Sequence, residues 1–227
     1  MIPSLQKSYG GVATQAARNR VVRNTYWLLA LSMIPTVFGA YLGVTSGLFL
    51  PRGIMGMVLF FAIAFGFMFA IEKTKNSAAG VPVLLGFTFF MGLMLAPLLR
   101  HTLGFANGPA LIMGAFAGTS AVFGVMAMVA TVSKRDFSGM GSWLFAGTIV
   151  VLLAMVANAF LQIPALHLAL LVMVVGIFSA WLLFDVQRVV NGGETNYISA
   201  TLSIYLDIYN IFTALRQLLG IGFGNRD

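Results

Sequence analysis

The chain has 227 residues, of which 59% are hydrophobic and only 8% charged, and its mean hydropathy is +0.95. A soluble domain carries about a quarter charged residues because its surface must be wetted, so a water-soluble monomer is excluded and an integral membrane protein is expected. With no cysteine and two histidines, His101 and His167, disulfides, thiolate chemistry, cysteine-ligated metals and multi-histidine metal sites are excluded as well. The net charge of +7 reads as basic loops on one side of a membrane. No basic stretch is interleaved with stacking aromatics, which argues against nucleic acid.

In chain order, the first 24 residues are polar and basic, with Lys7, Arg18, Arg20 and Arg23 and no acid. The apolar run that follows is too long for a signal-peptide core and is read as a retained first span, residues 25–44. Charges, prolines and small polar clusters set the later breaks. Span two covers 53–71, span three 79–99, span four 109–132, span five 143–161, span six 166–184 and span seven 197–221. Residues 222–227 form a short tail. Run length favours helices over the alternating ten-residue segments, roughly, of a barrel. The fold class is an all-α membrane protein, a bundle of seven transmembrane helices.

Lys and Arg distribution orients it. The N-terminal stretch and the links after spans two, four and six hold Lys7, Arg18, Arg20, Arg23, Lys73, Lys75, Lys134, Arg135 and Arg188. The other side holds Arg52, Arg100, Arg226 and, within the last hydrophobic segment, Arg216. The N-terminus is expected in the cytoplasm and the C-terminus outside it, in the periplasm. Gly114 and Gly118 form a small-residue pair for close helix contact inside the bundle. Pro35 and Pro97 are expected to kink their helices. The methionines and phenylalanines read as lipid-facing surface and core filler.

Ionisable groups at membrane depth are costly and therefore mark function. Asp185 ends span six and Asp207 lies midway along span seven. At about 100° per residue, Ser199, Ser203, Asp207, Asn210, Thr213 and Gln217 share an arc of about 120° on span seven. Leu206 interrupts the stripe, and Ile204, Ile208, Ile211, Phe212 and Leu215 occupy the other faces. Such a stripe must face protein or water, so span seven is expected to be central. It either lines a hydrated path or forms a structural hydrogen-bonded seam. Asp185 also has a plain reading, an ion pair with Arg188 at i+3. Because spans six and seven are antiparallel, the two carboxylates meet if part of their link winds or folds inward. In contact they would share a proton and titrate as a unit, and they offer hard oxygens suited to transient Ca²⁺ passage. Asn158 and Gln162 are expected to bond neighbouring helices, His167 to be interfacial, and Glu72 to be a solvated charge.

The C-terminal third carries a resemblance. Phe184-Asp185-Val186-Gln187-Arg188, then Gly192-Gly193-Glu194-Thr195-Asn196-Tyr197-Ile198, precede Ser203-Ile204-Tyr205-Leu206-Asp207-Ile208-Tyr209-Asn210. With Arg23-Asn24-Thr25-Tyr26 and Arg135-Asp136-Phe137-Ser138, these stretches resemble the Bax inhibitor-1 family, in its bacterial inner-membrane branch. The resemblance implies a seven-helix bundle with the last helix at its centre. It implies a pH-sensitive calcium leak governed by an aspartate pair, at the positions of Asp185 and Asp207, with no cofactor beyond calcium as the permeant ion. The bacterial branch further implies interaction with the membrane protease FtsH through the N-terminal stretch. One departure stands out: the arginine that family members carry near the end of helix two is missing from Ala70-Ile71-Glu72-Lys73-Thr74. Lys73, which lacks the bidentate fork, and Arg188 are the candidate gate residues.

Three readings follow: a calcium leak tuned by protonation, a non-transporting membrane regulator of FtsH, and an intramembrane aspartyl protease. A conduit needs Asp207 and a regulator needs the basic N-terminal stretch. The protease motif requires Gly-x-Gly-Asp, whereas Ile204-Tyr205-Leu206 precede Asp207; no enzyme is expected.

Overall fold

A computed structural model describes residues 3–47 and 53–225, with side chains described from Gln15 onward. Arg52, Arg226 and the Lys7 side chain, all used in the charge count, lie outside the described residues. The helices are α1 (Pro3–Ser46), α2 (Ile54–Thr74), α3 (Gly80–Leu103), α4 (Gly108–Val132), α5 (Gly141–Leu161), α6 (Pro164–Val190) and α7 (Tyr197–Phe223). A 3-10 turn, Ser138–Met140, leads into α5, and no strand occurs among the described residues. All seven helices are long and apolar enough to cross a membrane, α1 from Gln15 onward. The basic N-terminal residues from Pro3 are thus the start of the same helix as span one.

The links identify two ends of the bundle. At one end, Asn196 begins α7 and donates its amide to Lys75 O, at 3.0 Å, and to Asn76 Oδ1 in the α2–α3 link. At the same end Gln187 accepts from Phe137 N and donates to Arg135 O, both at 2.7 Å, which fastens the α4–α5 link to α6. At the opposite end Asn107 donates to Phe223 O at 2.7 Å, joining the α3–α4 link to the end of α7. Successive helices therefore alternate in direction.

Helix α7 is the centre, in contact with α1, α2, α3, α4 and α6, whereas α5 packs on α6. The largest pairing is α1 on α3, and glycine makes it possible. A Cβ on Gly92 would lie 2.1 Å from Thr36 O, and one on Gly39 would lie 2.2 Å from Phe89 O. Gly114 and Gly118 face Leu219 and Leu215 of α7, so this pair serves contact inside the bundle. Pro35 and Pro97 lie within α1 and α3, which continue through them. Trp27, Val37, Phe65, Phe116 and Phe145 are exposed on the outside, the apolar surface expected of a lipid-facing bundle.

Candidate functional site

The sixth helix extends beyond its expected end at 184 and stops at Val190. Asp185 is therefore inside α6, not at the head of a long link. Five further residues at about 1.5 Å each lift it toward the depth of Asp207, which lies about 15 Å along α7 from Tyr197. The helix continues because Val186, Gln187 and Val189 are all buried against the bundle. Gly192, at φ 81°, then turns the chain. The side chains of Asp185 and Asp207 come within hydrogen-bonding reach of each other. Asp207 is 4% exposed, and its Oδ2 has no donor among the described residues.

The expected Asp185–Arg188 ion pair is not formed. Arg188 instead pairs with Glu194 Oε2 at 3.5 Å, because Gly193 and Glu194 fold back to donate their amides to Arg188 O. The Arg188 charge still acts on Asp185 through space, as does that of Glu194. Lys73, the other candidate gate residue, is exposed and holds its ammonium 4.5 Å above the Phe69 ring. Glu72 pairs with Lys75 at the surface.

Beyond Asp207 the polar stripe meets open space. Asn210, Thr213 and Gln217 line a cavity of about 140 Å³ shared with Thr148, Met155 and Phe178 of α5 and α6. Gln217 also borders a cleft of about 1010 Å³ that reaches the far end of the bundle, with His101, His167 and Arg216. One side chain is thus common to both spaces. Within the stripe, Asn210, Thr213 and Gln217 donate to Leu206 O, Asn210 O and Thr213 O of their own helix. Ser199 and Ser203 are half-buried at the other end of the stripe.

A second polar face of α7 was not legible from the hydropathy pattern. The Tyr205 hydroxyl lies 2.9 Å from Thr36 Oγ1 of α1 and 3.4 Å from Thr88 O of α3. Tyr209 donates to Met91 O at 3.2 Å, and Arg216 donates to Leu98 O at 2.9 Å and to the Thr102 hydroxyl. At about 100° per residue these three project within about 40° of one another, so one stripe of α7 is riveted to α3. Arg216 is consequently a bundle residue, not a loop charge. Asn158 and Gln162 also differ from expectation: Asn158 accepts from Ile163 N at 3.1 Å, and Gln162, at φ 52°, ends the helix. They terminate α5, and neither bonds a neighbouring helix among the described residues.

The sequence matches the family described as inhibitor of apoptosis-promoting Bax1 over residues 18–224. The chain belongs to the Bax inhibitor-1 family. Among its relatives, the modulator of FtsH protease YccA of Escherichia coli K12 is 40% identical over 210 residues, 92% of each chain. In another E. coli strain the corresponding protein is called inner membrane protein YccA, again 40% identical over 210 residues. An uncharacterised membrane protein of Vibrio cholerae is 38% identical over 203 residues, 89% of this chain and 90% of its own. The match spans every helix from the exposed part of α1 to α7, so the aspartate contact belongs to a family member aligned over nearly its whole length.

Proposed function

We propose that this Bax inhibitor-1 family member is a pH-sensitive calcium leak across the membrane, gated by Asp185 and Asp207. The observation that carries the reading is the contact between these two carboxyls at bundle depth. Two carboxylates that close cannot both ionise cheaply, so proton occupancy and mutual attraction are linked. Losing the shared proton turns an attractive contact into a repulsive one and leaves anionic oxygens that attract Ca²⁺. Two carboxylates supply few of the 6–8 oxygens that Ca²⁺ takes, and no third acid or histidine joins them among the described residues. The pair suits an ion in passage rather than one held. On the stripe that carries Asp207, Asn210, Thr213 and Gln217 line the cavity, and Gln217 also lines the far cleft. Calcium is the permeant ion, no cofactor is used, and no bond-making chemistry is assigned. The N-terminus is in the cytoplasm and the C-terminus in the periplasm. Without Arg216, the loop count on the outer side falls to Arg52, Arg100 and Arg226.

Purified protein in calcium-free liposomes tests conduction directly: calcium entry above that of empty liposomes supports the leak, and entry equal to theirs refutes it.

A second reading, modulation of the protease FtsH, is favoured by the name of the E. coli relative, 40% identical over 210 residues. The exposed basic residues of α1 before the membrane, including Arg18, Arg20 and Arg23, are the natural contact. Removing residues 2–20 then abolishes any effect on FtsH proteolysis and leaves calcium entry intact. Loss of calcium entry with proteolysis unaffected contradicts this division of labour.

A further inference from the structure

Helix α7 is covered unevenly. Both α1 and α4 pack on it, yet no Cα of α1 lies within 8 Å of a Cα of α4 among the described residues. Across this gap the rings of Tyr26 and Phe123 meet edge to face, with centroids 6.3 Å apart. The gap holds a cavity of about 380 Å³ that reaches from Val37 of α1 and Phe116 of α4 inward to Ile208 and Phe212 of α7. Val37 and Phe116 are exposed on the outside, and Ile208 and Phe212 are only half-buried although they belong to the central helix. The lining residues fall in the middle of the spans of α1, α4 and α7, so the opening lies at the depth of the hydrocarbon core.

The lining sets the chemistry of the occupant. No charged side chain borders the cavity among the described residues. The hydroxyls at its floor are already used: Tyr205 lies 2.9 Å from Thr36 Oγ1, Tyr209 donates to Met91 O and Thr119 donates to Ala115 O. Water or a polar ligand would find few partners there. Left empty, the apolar walls would lack dispersion contacts on one side. The mouth is continuous with the lipid-facing surface through Val37 and Phe116. One turn of a helix about 10 Å across and about 5.4 Å in pitch fills about 420 Å³, more than the whole cavity, so a helix of a second copy is too wide to enter. A flexible hydrocarbon chain is not. We propose that the gap between α1 and α4 is a lateral portal that binds one acyl chain of a membrane lipid against Ile208 and Phe212, with the headgroup left at the bilayer surface. Ile208 and Phe212 lie about 100–140° around α7 from Asp207. The portal is therefore separate from the polar stripe, and the inference does not rest on calcium passage.

The test uses the full chain in phosphatidylcholine liposomes doped with a phosphatidylcholine that carries a photoactivatable diazirine on one acyl chain. After illumination, peptide mass spectrometry locates the adducts. Adducts on Ile208 or Phe212 are expected beside those on Phe145, which is exposed on α5 and reports the lipid surrounding the bundle. Ala30→Phe and Ser120→Phe place a ring in the portal from its two walls, at exposed positions where no core is overpacked. Each is expected to lower the α7 adducts several-fold relative to those on Phe145. If one variant does not fold, the other decides, and the wild-type adducts are an independent measure. Absence of α7 adducts in wild type, the result expected if a protein segment covers the portal, overturns the proposal. So do α7 adducts that no folded variant reduces.

Discussion

Replacing Asn196 by alanine removes three interactions at once: the cap that accepts from Ile198 N and Ser199 N, and the amide bonds to Lys75 O and Asn76. Loss of a cap alone costs about 1 kcal/mol, so the variant is expected to be less stable by about 1–3 kcal/mol. Equilibrium unfolding in detergent measures it; an unchanged midpoint contradicts the role of Asn196 in seating α7. Asp136 provides a control for pH work. The Ser138 backbone N–H donates to its carboxylate at 2.9 Å and holds its pKa below the usual carboxylate value. Stability from a depressed carboxylate is complete above its unfolded pKa of about 3.9 and lost as pH falls through the lower folded one. Asp136→Asn is therefore expected to leave any pH response of flux between about pH 6 and about pH 8 unchanged. A changed response assigns pH sensing to the α4–α5 link. Asp185 and Asp207 were legible in the sequence as acids at membrane depth. Arg216 was visible but its role was not, because its described partners, Leu98 O and the Thr102 hydroxyl, carry no charge to flag the pairing. The same holds for Tyr205 and Tyr209, whose hydroxyls bond backbone carbonyls of α3.

At the level of elements, α3 and α7 meet through hydroxyl and guanidinium donors, whereas α1 and α3 meet through glycine. Gly92→Ala places a methyl group against the Thr36 carbonyl, which is backbone and cannot rotate away. Overpacking of this kind costs about 1–3 kcal/mol. A lower unfolding midpoint is expected for Gly92→Ala but not for Gly66→Ala, which has open space around its Cβ. Equal behaviour of the two variants contradicts the close α1–α3 approach. The seven helices were legible because hydrophobic run length and charged breaks bound them. The ends of α6 were not. Asp185, Gln187 and Arg188 look like link residues by hydropathy, yet Gln187 is buried and bonded to the α4–α5 link, so tertiary contact carries the helix on to Val190. That extension brings the two aspartates together.

For the whole molecule, the polar groups of α7 divide the bundle. One face ties the helix to α1 and α3, and the other carries Asp207 and, beyond it, the Asn210, Thr213 and Gln217 side chains that line a cavity. The charge distribution adds a direction, and a C-terminal reporter active only outside the cytoplasm is expected to give signal; a reporter active only inside contradicts the orientation. The most direct test of the central claim is calcium entry into liposomes at about pH 6 and about pH 8, for wild type and Asp207→Asn. Wild type is expected to conduct differently at the two pH values, and Asp207→Asn to conduct equally at both or not at all. A wild-type flux with the same pH response after substitution would contradict gating by the Asp185–Asp207 pair.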